Sequence, residues 1–184
     1  MLYHAYPAMA TDTRLRWLLI LATGLLTGLG AQVSIPLQPV PITLQVLVVL
    51  LAGLALGPRD AFASQVAYLM LIAGGAPLAA NGLGGFAAFT TPTLGYLLSF
   101  PLAAGLVGWL GMHPRFGVRF AASWLGILVI YLCGTAYLKA YLEISWAAAW
   151  AAGVAPFIVL DIAKAIIAAG LGEGARRWLG LNTL

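Results

Sequence analysis

Asp161 and Lys164 stand three residues apart inside an apolar run, Ala155-Pro156-Phe157-Ile158-Val159-Leu160-Asp161-Ile162-Ala163-Lys164-Ala165-Ile166-Ile167. A charge at the centre of a membrane helix costs about 2.5–3.5 kcal/mol on insertion scales, so such groups face a partner or a cavity. At i and i+3 of a helix, both side chains project from one face. Together they offer an acceptor for N–H groups and a donor for a carbonyl or carboxylate. Either they form an internal ion pair that fixes packing, or they form a ligand site. The expense of burying charge favours the ligand site. Pro156, about one turn earlier, is expected to free backbone carbonyls or to kink the helix toward a cavity.

Other polar groups fall near the expected outer ends of apolar segments. Asn81 precedes Gly82-Leu83-Gly84-Gly85. Those glycines suit a tight loop with close backbone approach to a ligand, while Asn81 itself suits either a turn or a ligand contact. Thr43, Gln45 and Tyr96 are further candidates, each with a polar tip able to reach a pocket. Tyr137, Tyr141, Trp146 and Trp150 fit an interfacial belt, with stacking on a ligand ring as the alternative. Gly24 and Gly28 form a small-xxx-small pair, which suits internal packing or the docking of a partner helix.

Catalysis has little to draw on. His4 and His113 lie far in sequence from the Asp161 run, and no metal-ligand cluster or nucleophile–histidine motif occurs. No G-x-x-x-x-G-K-[ST] motif occurs either, so the chain is not expected to hydrolyse ATP itself. No cofactor or metal is implied. Cys133, the single cysteine, reads as a packing residue. One acid and one base do not make the charged ring of an ion channel.

The elements that must position these groups follow from composition. The 184 residues are 62% hydrophobic and 8% charged, with a mean hydropathy of +1.00. Soluble domains carry about 25% charged residues, so the chain reads as an all-α integral membrane protein in contact with the lipid bilayer. Six spans are predicted, at about residues 15–32, 43–56, 61–72, 93–110 and 120–138, with the last centred on the Asp161 run and ending near Gly172. With both termini cytoplasmic, Arg14, Arg16, Arg59, Arg115, Arg119, Arg176 and Arg177 lie inside and Lys139 alone outside. The pI near 9.5 is therefore a matter of topology rather than nucleic-acid binding. The outer loops, residues 34–41 and 74–92, are rich in proline and glycine and uncharged. Such loops near a membrane pack on protein or line a cavity. We expect two lids over an outward-opening pocket in a single six-helix domain.

Four blocks resemble a known family. They are Pro39-Val40-Pro41-Ile42-Thr43-Leu44-Gln45, Leu56-Gly57-Pro58-Arg59, Gly75-Ala76-Pro77 through Gly84-Gly85 with Pro92-Thr93-Leu94-Gly95-Tyr96-Leu97, and Pro156-Phe157 with Asp161 and Lys164. In this order they resemble the biotin-specific substrate-binding (S) components of energy-coupling factor transporters, the BioY family. The resemblance implies six helices, a biotin pocket capped by the first and third outer loops, and biotin contacts from Asp161, Lys164 and Asn81. It implies uptake across the cytoplasmic membrane of a prokaryote, with a transmembrane coupling protein and ATPase subunits as partners. Some members act without a dedicated coupling module, and a homo-oligomer is a further arrangement to consider. The alternatives are an S component for another small vitamin, or a membrane scaffold in which Asp161 and Lys164 pair internally.

Overall fold

The computed structural model describes residues 13–178. His4 and the two chain ends lie outside the described residues. Helix α1 (Thr13–Gln32) leads into a small antiparallel hairpin of β1 (Ser34–Ile35) and β2 (Ile42–Thr43). Pro36, Pro39 and Pro41 rule out a helix between the strands. Helix α2 (Gln45–Leu56) and α3 (Pro58–Ala73) meet at Gly57 alone, whose φ of 77° turns the chain. Pro58 suits the first position of α3 because an N–H there has no helical partner.

The second proline–glycine loop, residues 74–92, carries a 3-10 turn (Ala80–Gly82) and the short helix α4 (Phe86–Phe89). Then follow α5 (Leu94–Leu110), α6 (Phe116–Leu142), α7 (Trp146–Gly153) and α8 (Ile158–Trp178). Ser145 caps α7 by accepting from the Ala148 N–H at 3.2 Å. Helices α7 and α8 are bent 52° apart, and the break contains Pro156, as the sequence suggests.

Two boundaries differ from the sequence expectation in an instructive way. The fifth predicted span, 120–138, is part of a longer helix because nothing in Phe116–Leu142 interrupts it. Trp146 and Trp150, expected between spans, lie on α7, which the break at 154–157 separates from α8. By length and composition, α1 and α6 can each cross a membrane, and the bent pair α7–α8 makes a third candidate. Helices α2 and α5 are apolar but shorter.

Helices α5 and α6 share the most extensive contact. A Cβ at Gly134 would enter the Tyr96 ring, and one at Gly95 would lie 2.6 Å from the Cys133 carbonyl. Small residues at these points let the two helices close on each other. The core gathers Leu50, Leu54, Tyr68, Ile72, Val107, Ile127 and Ile130. Many large apolar side chains remain exposed on the outside, including Met70, Leu132 and Val159, as a lipid-facing surface requires.

Arg16 and Arg119 mark one end. Arg16 on α1 holds Asp60 on α3, Gly108 touches the Gly57–Pro58 junction, and Arg119 donates to the Ala169 carbonyl of α8 at 2.7 Å. Residues of the 34–41 and 74–92 loops line one cavity at the other end, where the Tyr141 hydroxyl donates to the Thr90 carbonyl at 2.7 Å.

Candidate functional site

At the loop end, the helices surround a cavity of about 650 Å³, counted out to its mouth. The hairpin supplies Val40, Pro41 and Thr43, and the second loop supplies Ala79, Ala80 and Leu83. Helices supply Gln45, Tyr96, Phe100, Tyr131, Asp161 and Lys164 among others, and the break before α8 supplies Phe157. The lining is mostly apolar, with its ionic groups confined to α8.

Asp161 and Lys164 form the polar cluster. Lys164 Nζ donates to Asp161 Oδ1 at 2.7 Å, and Tyr131 Oη donates to Asp161 Oδ2 at 2.7 Å. Only 1% of Asp161 and 6% of Lys164 is exposed, so the pair is dry. Lys164 uses one of three N–H donors on Asp161, and each carboxylate oxygen keeps a lone pair. The pair is thus both internal and incomplete. It can hold a ligand that presents N–H donors together with an oxygen acceptor.

Thr43 and Gln45 lie in the wall, bonded to each other: Thr43 Oγ1 donates to Gln45 Oε1 at 3.0 Å. Tyr96 also lines the cavity, but its hydroxyl is committed elsewhere. Pro156 lacks an N–H, and the Phe157 N–H goes to the Val154 carbonyl, so the Gly153 carbonyl lacks its usual helical partner. Tyr96 Oη donates to that carbonyl at 2.9 Å. Tyr96 therefore fastens the break before α8 and offers the cavity its ring.

Asn81 stands outside the cavity. It is exposed, with a left-handed backbone (φ 61°), at a turn whose neighbours Ala79, Ala80 and Leu83 face inward. Asparagine tolerates that conformation better than most residues. Gly24 and Gly28 are buried in the chain: a Cβ at Gly24 would lie 2.8 Å from the Ser64 carbonyl, and one at Gly28 would lie 2.9 Å from the Leu78 side chain. That face is occupied by α3 and the second loop, and a partner helix has no room there. The belt aromatics also stay clear of the cavity. Tyr137 stacks with Tyr141, Lys139 lies 5.5 Å from the Trp146 ring centroid, and Trp146 and Trp150 are exposed.

Sequence reasoning missed Tyr131, Phe100 and Phe157 as wall residues. Tyr131 carried a usable signal. It puts a hydroxyl in the middle of an apolar span, where it needs a buried partner. Phe100 and Phe157 look like any core phenylalanine.

Comparison with known proteins agrees with this architecture. A solved structure described as the S-component for biotin from an ECF-type ABC transporter superposes with a TM-score of 0.83, covering 96% of this chain and 97% of that one at 24% identity. A probable biotin transporter BioY of Pyrococcus horikoshii is 45% identical over 148 residues, 80% of this chain and 88% of that protein. A similarly described protein of Bacillus subtilis is 38% identical over 151 residues, 78% of this chain and 79% of its own length. The profile of the BioY family matches residues 8–180. The chain belongs to the BioY family.

Proposed function

We infer that this chain binds biotin at the outer face of a prokaryotic cytoplasmic membrane and serves as the S component of an energy-coupling factor transporter. One observation carries the reading: a dry Asp161–Lys164–Tyr131 cluster with unused bonding capacity sits in an apolar cavity between two outer loops. Biotin has ureido N–H donors, a ureido carbonyl, an apolar bicycle and a carboxylate tail. Asp161 would accept from the ureido N–H groups, and Lys164 would donate to an oxygen of the ligand. Thr43 and Gln45 would add polar contacts from the wall, and Tyr96 would pack its ring against the bicycle. The part of Asn81 would be to shape the loop above them.

In this reading the polypeptide crosses the membrane six times, with both termini cytoplasmic. Helix α2, about 18 Å long at 1.5 Å per residue, is short for a core of about 30 Å. The deficit would be met by the outer loops, since irregular backbone is tolerated at depth where it lines a cavity. A chain without a nucleotide-binding loop would draw its energy from partners, a transmembrane coupling protein and ATPase subunits. This is a transport role and not an enzymatic one.

The test is equilibrium binding of radiolabelled biotin to the purified protein in detergent. Saturable binding that excess riboflavin or thiamine does not displace is expected. No binding, or displacement by either competitor, overturns biotin as the ligand.

A further inference from the structure

The orientation of one wall residue is set from outside the cavity. Gln45 opens α2 and lines the cavity. Its Nε2 donates to Tyr68 Oη at 2.5 Å, and its Oε1 accepts from Thr43 Oγ1 at 3.0 Å. Tyr68, on α3, is fully buried and is not part of the cavity lining. Its hydroxyl donates to the Leu78 carbonyl at 3.1 Å.

A phenol has a single proton to give. Tyr68 directs it to Leu78, so toward Gln45 it can only accept. Gln45 must then turn its NH₂ group to Tyr68 and its oxygen to Thr43. The loop carbonyl thus decides which way round the amide sits. Gln45 is left with one N–H and one lone pair for other contacts.

Leu78 belongs to the second outer loop, and its neighbours are held as well. Gln32 Nε2 on α1 donates to the Ala79 carbonyl at 3.1 Å and reaches the Pro77 carbonyl at 3.5 Å. Thr43 lies on β2, the hairpin strand that follows the first outer loop. A hydrogen-bonded chain therefore runs Thr43–Gln45–Tyr68–Leu78, from the edge of one loop through the cavity wall to the other.

We propose that Tyr68 is a positioning residue for ligand capture, orienting Gln45 toward the ligand and coupling that contact to the seating of loop 74–92. This rests on the reading of the cavity as a biotin site. A ligand engaging Gln45 would pull on a chain that ends at the loop backbone, and loosening the loop would misorient the amide.

Tyr68→Phe keeps the ring that stacks on Phe100 and removes the hydroxyl alone. Biotin should leave this variant about tenfold faster, the scale expected for one buried hydrogen bond. Adding Gln45→Leu to Tyr68→Phe should bring little further acceleration, because both lesions cut the same chain. Thr43→Val, cutting the chain at its other end, should also speed release. Gln65→Leu is the control, since Gln65 is equally buried on α3 but bonds Thr27 and Ser64. It should lower the unfolding temperature and leave the release rate unchanged.

Deuterium exchange on the ligand-free protein should show residues 76–83 exchanging faster in Tyr68→Phe and unchanged in Gln65→Leu. Parent-like release from Tyr68→Phe, or full multiplication of its effect with that of Gln45→Leu, overturns the proposal. If the parent itself binds no biotin, the ligand reading fails, while the exchange arm still decides whether Tyr68 seats the loop.

Discussion

Two acid–base pairs sit toward opposite ends of the helical bundle, and their surroundings give them different work. At the basic end, Arg16 meets Asp60 through three contacts of 2.6, 2.9 and 3.1 Å, engaging both carboxylate oxygens. The Arg16 side chain is 46% exposed, so water can serve what the protein does not. Neither residue lines the cavity. At the loop end, Lys164 and Asp161 share a single contact, are shut from solvent, and face open space. Charge alone does not mark a binding site here. Unused hydrogen-bonding capacity beside a void does, because a dry group with spare bonds is where a ligand gains most.

The sharpest way to break this comparison is to alter the dry pair. Asp161→Asn leaves Lys164 buried without its counter-charge, and Lys164→Ala does the converse. Removing one partner of a buried pair costs about 3–5 kcal/mol of stability, with the milder asparagine toward the low end. Biotin binding should weaken at least tenfold in either variant, about 1.4 kcal/mol. The double change Asp161→Leu with Lys164→Met separates the two effects. It should restore much of the unfolding temperature, since an apolar pair needs no counter-charge, yet bind no biotin. Binding retained by the double variant would assign the pair to packing.

The basic-end pair should respond differently. Arg16→Met removes a half-exposed partner but leaves the Asp60 carboxylate, 6% exposed, without its counter-charge, so the cost should exceed the roughly 1 kcal/mol of a surface pair and stay below that of the dry pair. A moderate fall in unfolding temperature is expected, with biotin affinity unchanged. Loss of affinity in Arg16→Met would show that the packing of α1 on α3 reaches the cavity, and the two pairs would no longer be independent.

The pair on α8 was legible in the sequence because an acid and a base in an apolar run have few explanations. The proline–glycine loops located the mouth in the same way, and Pro156 announced the bend. Tyr96 was legible as a wall residue but not as the donor to Gly153, since that role exists only once a helix breaks beside it. Tyr131 and Tyr68 were harder. Each meets a partner at least ten residues away in sequence, and no periodicity reports such pairing. Gly24 and Gly28 show the limit of a motif: the spacing announces close approach to something, and the fold decides that it is α3 and Leu78.

The smallest expected effect concerns Asn81, which shares the mouth with the cavity and lies outside its lining. Its left-handed backbone is open to glycine and costs alanine about 1–2 kcal/mol. That penalty is felt only while the turn is seated, so it enters the affinity to the extent that the ligand needs the turn in place. Asn81→Gly should therefore bind biotin within about twofold of the parent, the range of a neutral surface change. Asn81→Ala should bind about fivefold more weakly, near 1 kcal/mol. The ordering of the two variants is what matters, because both delete the same amide. If Asn81→Gly loses as much as Asn81→Ala, the amide itself reaches the ligand. The site would then extend past the turn, and the void seen between the loops would be only its inner part.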